Sequence, residues 1–113
     1  MSKTVALPER ERGVCEPIKA RLSPSRVTDL TDLFKALSDP IRLQIVAALR
    51  DAPEQVCVCD CTASFDVSQP TMSHHLAKLR DVGLLTGTRQ GTWMYYQLRS
   101  DLPATVRRVI DAI

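Results

Sequence analysis

Apolar positions begin to recur with helical spacing only from about residue 26 onward. Val27, Leu30, Phe34 and Leu37 follow i, i+3, i+7 and i+10, while Asp29, Asp32 and Lys35 lie off that line, so a first amphipathic helix is expected with this stripe as its buried face. Ser38-Asp39-Pro40 breaks the pattern and starts the next: Asp39 suits an N-cap, Pro40 the first helical position, and Ile41, Ile45, Val46 and Leu49 form the stripe of a helix running to about Arg50. After the Asp51-Ala52-Pro53 break, a third helix is predicted to start between Val58 and Asp60 and to include Cys61 and Phe65. Asp66-Val67-Ser68 is too short for anything but a turn, with Ser68 placed to cap a fourth helix carrying Pro70 in its first turn. In that helix Met72, Leu76, Leu79 and Gly83 follow i, i+4, i+7 and i+11. Gly83 suits its end. Two short strands, Leu84 to Thr86 and Thr92 to Leu98, follow with a turn through Arg89-Gln90-Gly91, and a last helix opens near Ser100 or Asp101 with Leu102, Val106, Val109, Ile110 and Ile113 on one side.

Residues 1–24 mix charges with Pro8, Pro17 and Pro24 and show no sustained apolar period, which divides the chain into an N-terminal arm over 1–24 and one folded domain over 25–113. The composition, 44% hydrophobic and 25% charged, is ordinary for one globular core. No stretch has the length and apolarity of a membrane span, and MSKTVALPERERG lacks the apolar segment of a secretory signal, so a cytoplasmic location and no membrane partner are expected. The net charge of +2 says little, but its distribution says more. Residues 26–66 carry four basic and seven acidic side chains, whereas residues 67–99 carry Lys78, Arg80, Arg89 and Arg99 against Asp81 alone, the excess that a phosphate-facing surface needs.

Two kinds of chemistry meet between Cys57 and Gly83. Cys57, Cys59 and Cys61 place three thiols within five residues, too close in sequence to pair comfortably as disulfides, and thiolates are soft metal ligands. Residues two apart on a helix diverge, so joint ligation by Cys57 and Cys59 requires Cys57 to precede the third helix or its first turn to distort. The fourth helix leaves Ser68, Gln69, Thr71, Ser73, His74 and Lys78 mostly off its apolar stripe, groups of the kind that contact double-stranded DNA, with Arg89 and Gln90 of the hairpin beside them. His75 flanks the stripe and reads as a structural imidazole. Trp93, Tyr95 and Tyr96 interleaved with Met94 read as hairpin packing. Cys15 and Arg21 have the spacing of a thiol-phosphatase or arsenate-reductase loop, but that stretch has no glycine, loses an N–H at Pro17 and follows no apolar strand, so no enzyme is expected.

Three helices, a turn between the third and fourth, a β-hairpin and a final helix is the order of a winged helix-turn-helix, a mainly α fold with a β-hairpin wing. The runs LFKALSDPIRLQIVAAL, CVCD, SQPTMSHHLAKLRDVGLL and RQGTWMYYQL resemble the ArsR/SmtB family of bacterial metal-responsive repressors, specifically its arsenical-sensing branch, over about residues 30–98. The resemblance implies a homodimer that binds a palindromic operator without metal and leaves it when As(III), Sb(III) or another thiophilic ion such as Cd(II) or Pb(II) binds cysteine thiolates. The apolar stripes of the first and last helices, larger than one small domain must cover, agree with a homodimer. The branch's third cysteine corresponds here to Thr62, and Cys61 falls where leucine or isoleucine is usual. Related sensors recruit an N-terminal cysteine, which makes Cys15 the preferred partner of Cys57 and Cys59, with Cys61 as a replacement, a fourth ligand or a core residue. No histidine follows His75, so the family's alternative zinc site on the last helix is not expected. A redox switch at the same thiols is the alternative reading, and a thiol enzyme a more distant one.

Overall fold

The computed structural model describes residues 6–113. The part of the arm at residues 1–5, with the start of the stretch weighed as a signal, lies outside the described residues. Residues 6–23 contain no helix or strand and are exposed throughout. Five helices and three strands follow: α1 (Pro24–Leu37), α2 (Pro40–Asp51), β1 (Val56–Cys57), α3 (Val58–Phe65), α4 (Gln69–Asp81), β2 (Leu85–Gln90), β3 (Trp93–Leu98) and α5 (Ala104–Asp111). This is a winged helix-turn-helix, with α3 and α4 as the helix-turn-helix pair and β2–β3 as the wing.

Capping explains three helix starts. Ser23, Asp39 and Ser68 each accept a hydrogen bond from the backbone N–H three residues on, and a proline stands at the start of each helix, where its missing N–H costs nothing. Asp66 turns the corner between α3 and α4 in the left-handed region at φ 49°, and among the described residues it is the only non-glycine with positive φ. Gly83, at φ 84°, ends α4 with the paired bonds Leu84 N–H to Leu79 O and Gly83 N–H to Arg80 O.

The core is a continuous cluster drawing Leu33 and Leu37 from α1, Ile45, Val46 and Leu49 from α2, Met72, Leu76 and Leu79 from α4, and Leu85, Tyr96 and Ile110 from the wing and α5. The buried side of α1 is not the one expected. Leu33, Ala36 and Leu37 face the core, Leu30 is partly buried, and Val27 and Phe34 are 48% and 52% exposed. The helix starts at Pro24, three residues before Val27, and it carries two adjoining apolar rows, only one of which the protomer covers.

The sheet corrects three further expectations. β1, a two-residue strand, pairs antiparallel with β3 in the order β1-β3-β2, with Val56 opposite Tyr96 and Cys57 opposite Tyr95. Arg89 and Gln90 are the last residues of β2 rather than the turn: Gln90 pairs with Trp93, leaving Gly91-Thr92 as a two-residue connection. Gly91 at φ 62°, with Thr92 on the negative side, gives the type II′ geometry that matches strand twist. The last helix begins at Ala104, with Pro103 at the cap position, because Asp101 is held outside it by two 2.8 Å hydrogen bonds from the Arg99 guanidinium.

Candidate thiol site and nucleic-acid interface

Cys57 sits at the end of β1 in extended conformation, and Cys59 lies in the first turn of α3. Because Cys57 precedes the helix, the two side chains converge instead of diverging, and their Sγ atoms are 2.9 Å apart. Cys57 is buried and Cys59 exposed. The hydrogen bond to Cys57 raises the Cys59 thiol above its ordinary pKa, with partial desolvation and the Asp60 carboxylate adding to the effect. The pair is therefore a soft donor set in which thiophilic ions fit and hard cations do not.

Cys61 belongs to the core, 5% exposed and packed with Ile45, Leu49, Val56 and Phe65 around a small cavity. Burial, and then the charge of Asp60, pushes its thiol pKa up. Cys15 is exposed in the segment before α1. Among the described residues no group of three or more His, Cys, Asp or Glu side chains is arranged to hold a metal ion. The protomer thus gathers Cys57 with Cys59 and leaves Cys15 and Cys61 apart from them. Thr62, at the position of the missing third thiol, donates to the Val58 carbonyl at 3.0 Å.

The polar face of α4 is exposed as expected, at Gln69, Thr71, Ser73, His74 and Lys78, and so is its cap Ser68. The Ser68 hydroxyl donates to Thr71 Oγ1 at 2.9 Å, so these two groups partly satisfy each other. The remaining residues divide between two flanks. Gln69, Ser73 and Arg80, at i, i+4 and i+11, line a groove of about 690 Å³ together with Cys57, Cys59, Thr62 and Ala63 of the thiol side and Arg89, Trp93, Met94 and Tyr96 of the wing. Lys78 lies on the other flank, with Asp32, Lys35, Arg42 and Asp81. Arg80 and Trp93 are the residues that the sequence reading left out of the site. The spacing of Arg80 from Gln69 and Ser73 was the available signal. For Trp93, 55% exposed, hairpin packing was the expectation, and it holds for the buried Tyr96 instead.

His75 faces inward. Its Nδ1 is 3.4 Å from the Arg42 guanidinium and 3.8 Å from the Asp39 carboxylate, while Arg42 Nε donates to the Ala36 carbonyl at 2.7 Å. This cluster ties the end of α1, the start of α2 and the middle of α4 together, and it holds the polar face of α4 at a fixed rotation. The Asp39 carboxyl is held below its ordinary pKa, chiefly by the backbone N–H of Arg42 that it caps. The segment from Cys15 to Arg21 forms no helix or strand that could build an oxyanion loop.

Among the described residues no helix is long and apolar enough to cross a membrane. The family model described as "Bacterial regulatory protein, arsR family" matches residues 39–86. An arsenical resistance operon repressor of Escherichia coli K12 is 47% identical over 79 residues, 70% of this chain and 67% of that protein. Among solved structures, HlyU from Vibrio cholerae N16961 superposes with a TM-score of 0.69 at 28% identity, covering 80% of this chain and 92% of that one. The homodimeric winged helix-turn-helix DNA-binding domain Mb0332 from Mycobacterium bovis gives 0.65 at 24% identity, covering 86% and 85%, a likeness of fold.

Proposed function

Because this chain belongs to the arsR family of bacterial regulatory proteins, we propose that it is a homodimeric transcriptional repressor, made of an N-terminal arm over 1–24 and a folded domain over 25–113. It leaves its operator when As(III) or Sb(III), or another thiophilic ion such as Cd(II) or Pb(II), binds the thiolates of Cys57 and Cys59. The observation that carries the reading is the shared groove: the paired thiols, Gln69 and Ser73 of α4 and Arg89 of the wing line one space. A ligand on the thiols therefore acts where DNA would be read. The arsenical resistance named for the Escherichia coli relative agrees with this donor set.

On this reading α4 lies in the major groove with Ser68, Gln69, Thr71, Ser73, His74 and Lys78, and the wing brings Arg89 and Gln90 to the phosphates. Cys15, from the arm of the same or the partner subunit, supplies the third thiolate that inorganic As(III) requires. Cys61 is core. Ligation draws on the start of α3, and with Asp66 to Ser68 as the sole spacer a shift there misaligns α4. A coupling of ~1–3 kcal/mol weakens operator binding about 5- to 150-fold. The second copy covers the exposed row of α1, Val27 and Phe34, and supplies the second half-site.

Operator release followed by fluorescence anisotropy tests the proposal. Cys57→Ser and Cys59→Ser should each fold, dimerise and bind operator, and neither should release it when arsenite is added. Full release by both variants would sink the sensor reading. The 2.9 Å approach of the two sulfurs also favours a second reading, in which a peroxide takes two electrons and two protons from the pair. Arsenite-induced release under strictly anaerobic, reducing conditions separates metal sensing from oxidation.

A further inference from the structure

We infer that the groove between the thiols, α4 and the wing is a receptor for a monosubstituted trivalent arsenical, bound through Cys57 and Cys59 with its aryl or alkyl group lying against Trp93. The inference rests on the reading that these thiols respond to arsenic, and it names the ligand class their own surroundings suit.

Valence is the first argument. Trivalent arsenic makes three bonds, so inorganic arsenite bound only through sulfur needs three thiolates. Among the described residues the protomer gathers two, 2.9 Å apart, with Cys61 turned into the core and Thr62 bonded to its own helix. An arsenic already carrying one carbon needs two sulfurs and no more. In the reaction R–As(OH)₂ with two thiols, two As–S bonds form and two As–O bonds break. The two hydroxyls leave as water with the thiol protons, and arsenic keeps its oxidation state. No oxidant, reductant or third protein ligand is required.

The second argument is the space that both thiols face. At about 690 Å³ the groove is within the range of small-molecule sites, and beside the thiols its walls offer Ala63, Trp93, Met94 and Tyr96. Trp93, half exposed on the wing, is a large apolar surface that the fold leaves uncovered. Ala63 and Thr62 on α3 are small enough to leave room for a substituent. An organic group on a thiol-bound arsenic therefore finds aromatic and thioether surface where arsenite offers none, and it projects toward Gln69, Ser73 and Arg89.

The test uses the full-length Cys15→Ser chain, which keeps core Cys61 in place and removes the thiol of the arm. Phenylarsine oxide, methylarsonous acid and arsenite are titrated in turn. Free thiols, adduct mass and the emission of Trp93, the chain's one tryptophan, are recorded. Phenylarsine oxide should add once per chain, consume two thiols and change the Trp93 emission. It should bind about tenfold more tightly than the methyl compound, as expected of one aromatic contact. Ala63→Leu, on an exposed helical position, should remove that advantage while leaving methylarsonous acid binding unchanged. Equal affinities with an unmoved Trp93 emission, or a phenyl advantage that survives Ala63→Leu, would overturn the inference. If phenylarsine oxide binds as described but operator stays bound, the groove is the receptor and the switch reading fails. If arsenite releases operator from the wild type and phenylarsine oxide does not enter the groove, the switch stands and the receptor fails.

Discussion

Cys61 is where residue-level reasoning left two uses open and packing chooses between them. Its thiol is buried among Ile45, Leu49, Val56 and Phe65, so Cys61→Ser should cost about 1–3 kcal/mol of stability in urea denaturation, since the hydroxyl gains no assured partner there, while the arsenite response is kept. Burial favours the neutral thiol, so the folded chain holds this proton more tightly than the unfolded chain does. The resulting contribution to stability is complete below the ordinary value of 9.0 and is lost as the pH rises through the raised one. Cys61→Ala should therefore flatten the decline in stability seen above about pH 9 in the wild type. Spacing alone was enough to single out Cys57 and Cys59, because a CxC at a helix start has few other uses. It could not separate Cys61 from them, because a cysteine fills a core position as readily as it binds metal. Trp93 was misjudged for a related reason: alternation in a hairpin says which residues share a face, and only the packing shows which face stays open.

At the scale of elements, α4 carries the reading function, and its two flanks should behave differently. Lys78→Ala should weaken binding to operator and random DNA alike and reduce the slope of log K against log salt by about 0.9, the signature of one lost phosphate contact. Ser73→Ala, in the row shared with Gln69 and Arg80, should relax base preference at one position and leave that slope unchanged. Anisotropy titrations over a salt series with operator and scrambled duplexes check both. The four longer helices' order, the caps at Asp39 and Ser68 and the glycine stop at Gly83 were all legible, because each depends on a few neighbouring residues. β1 was not, since two residues show no alternation and the strand exists only through its pairing with Tyr95 and Tyr96. That pairing anchors the backbone of Cys57 to the wing, so the sheet, and not α3 alone, sets where the first thiol stands. The start of α5 was misplaced by three to four residues because Asp101 resembles a cap, whereas its carboxylate is engaged by Arg99.

For the whole molecule, the second apolar row of α1 decides the assembly. Val27 and Phe34 are about half exposed in the protomer, and the proposed dimer covers them. Phe34→Asp should shift the chain toward monomer in sedimentation velocity and lower operator affinity by at least tenfold, through loss of the second half-site. The periodicity of α1 did reveal an apolar row, but it pointed to the one facing away from the core. Two adjoining rows on one helix have the same period, and only tertiary contacts tell which packs inward. The shared groove also carries a consequence in time. On the proposed reading, operator DNA seated along Gln69, Ser73 and Arg89 roofs over the thiols, so an arsenical captures the repressor only between visits to its site. Derepression then runs on a clock kept by the DNA: in stopped-flow measurements the rate of operator release should level off at the spontaneous dissociation rate, however high the arsenical concentration, and alkylation of Cys59 should slow in the presence of operator.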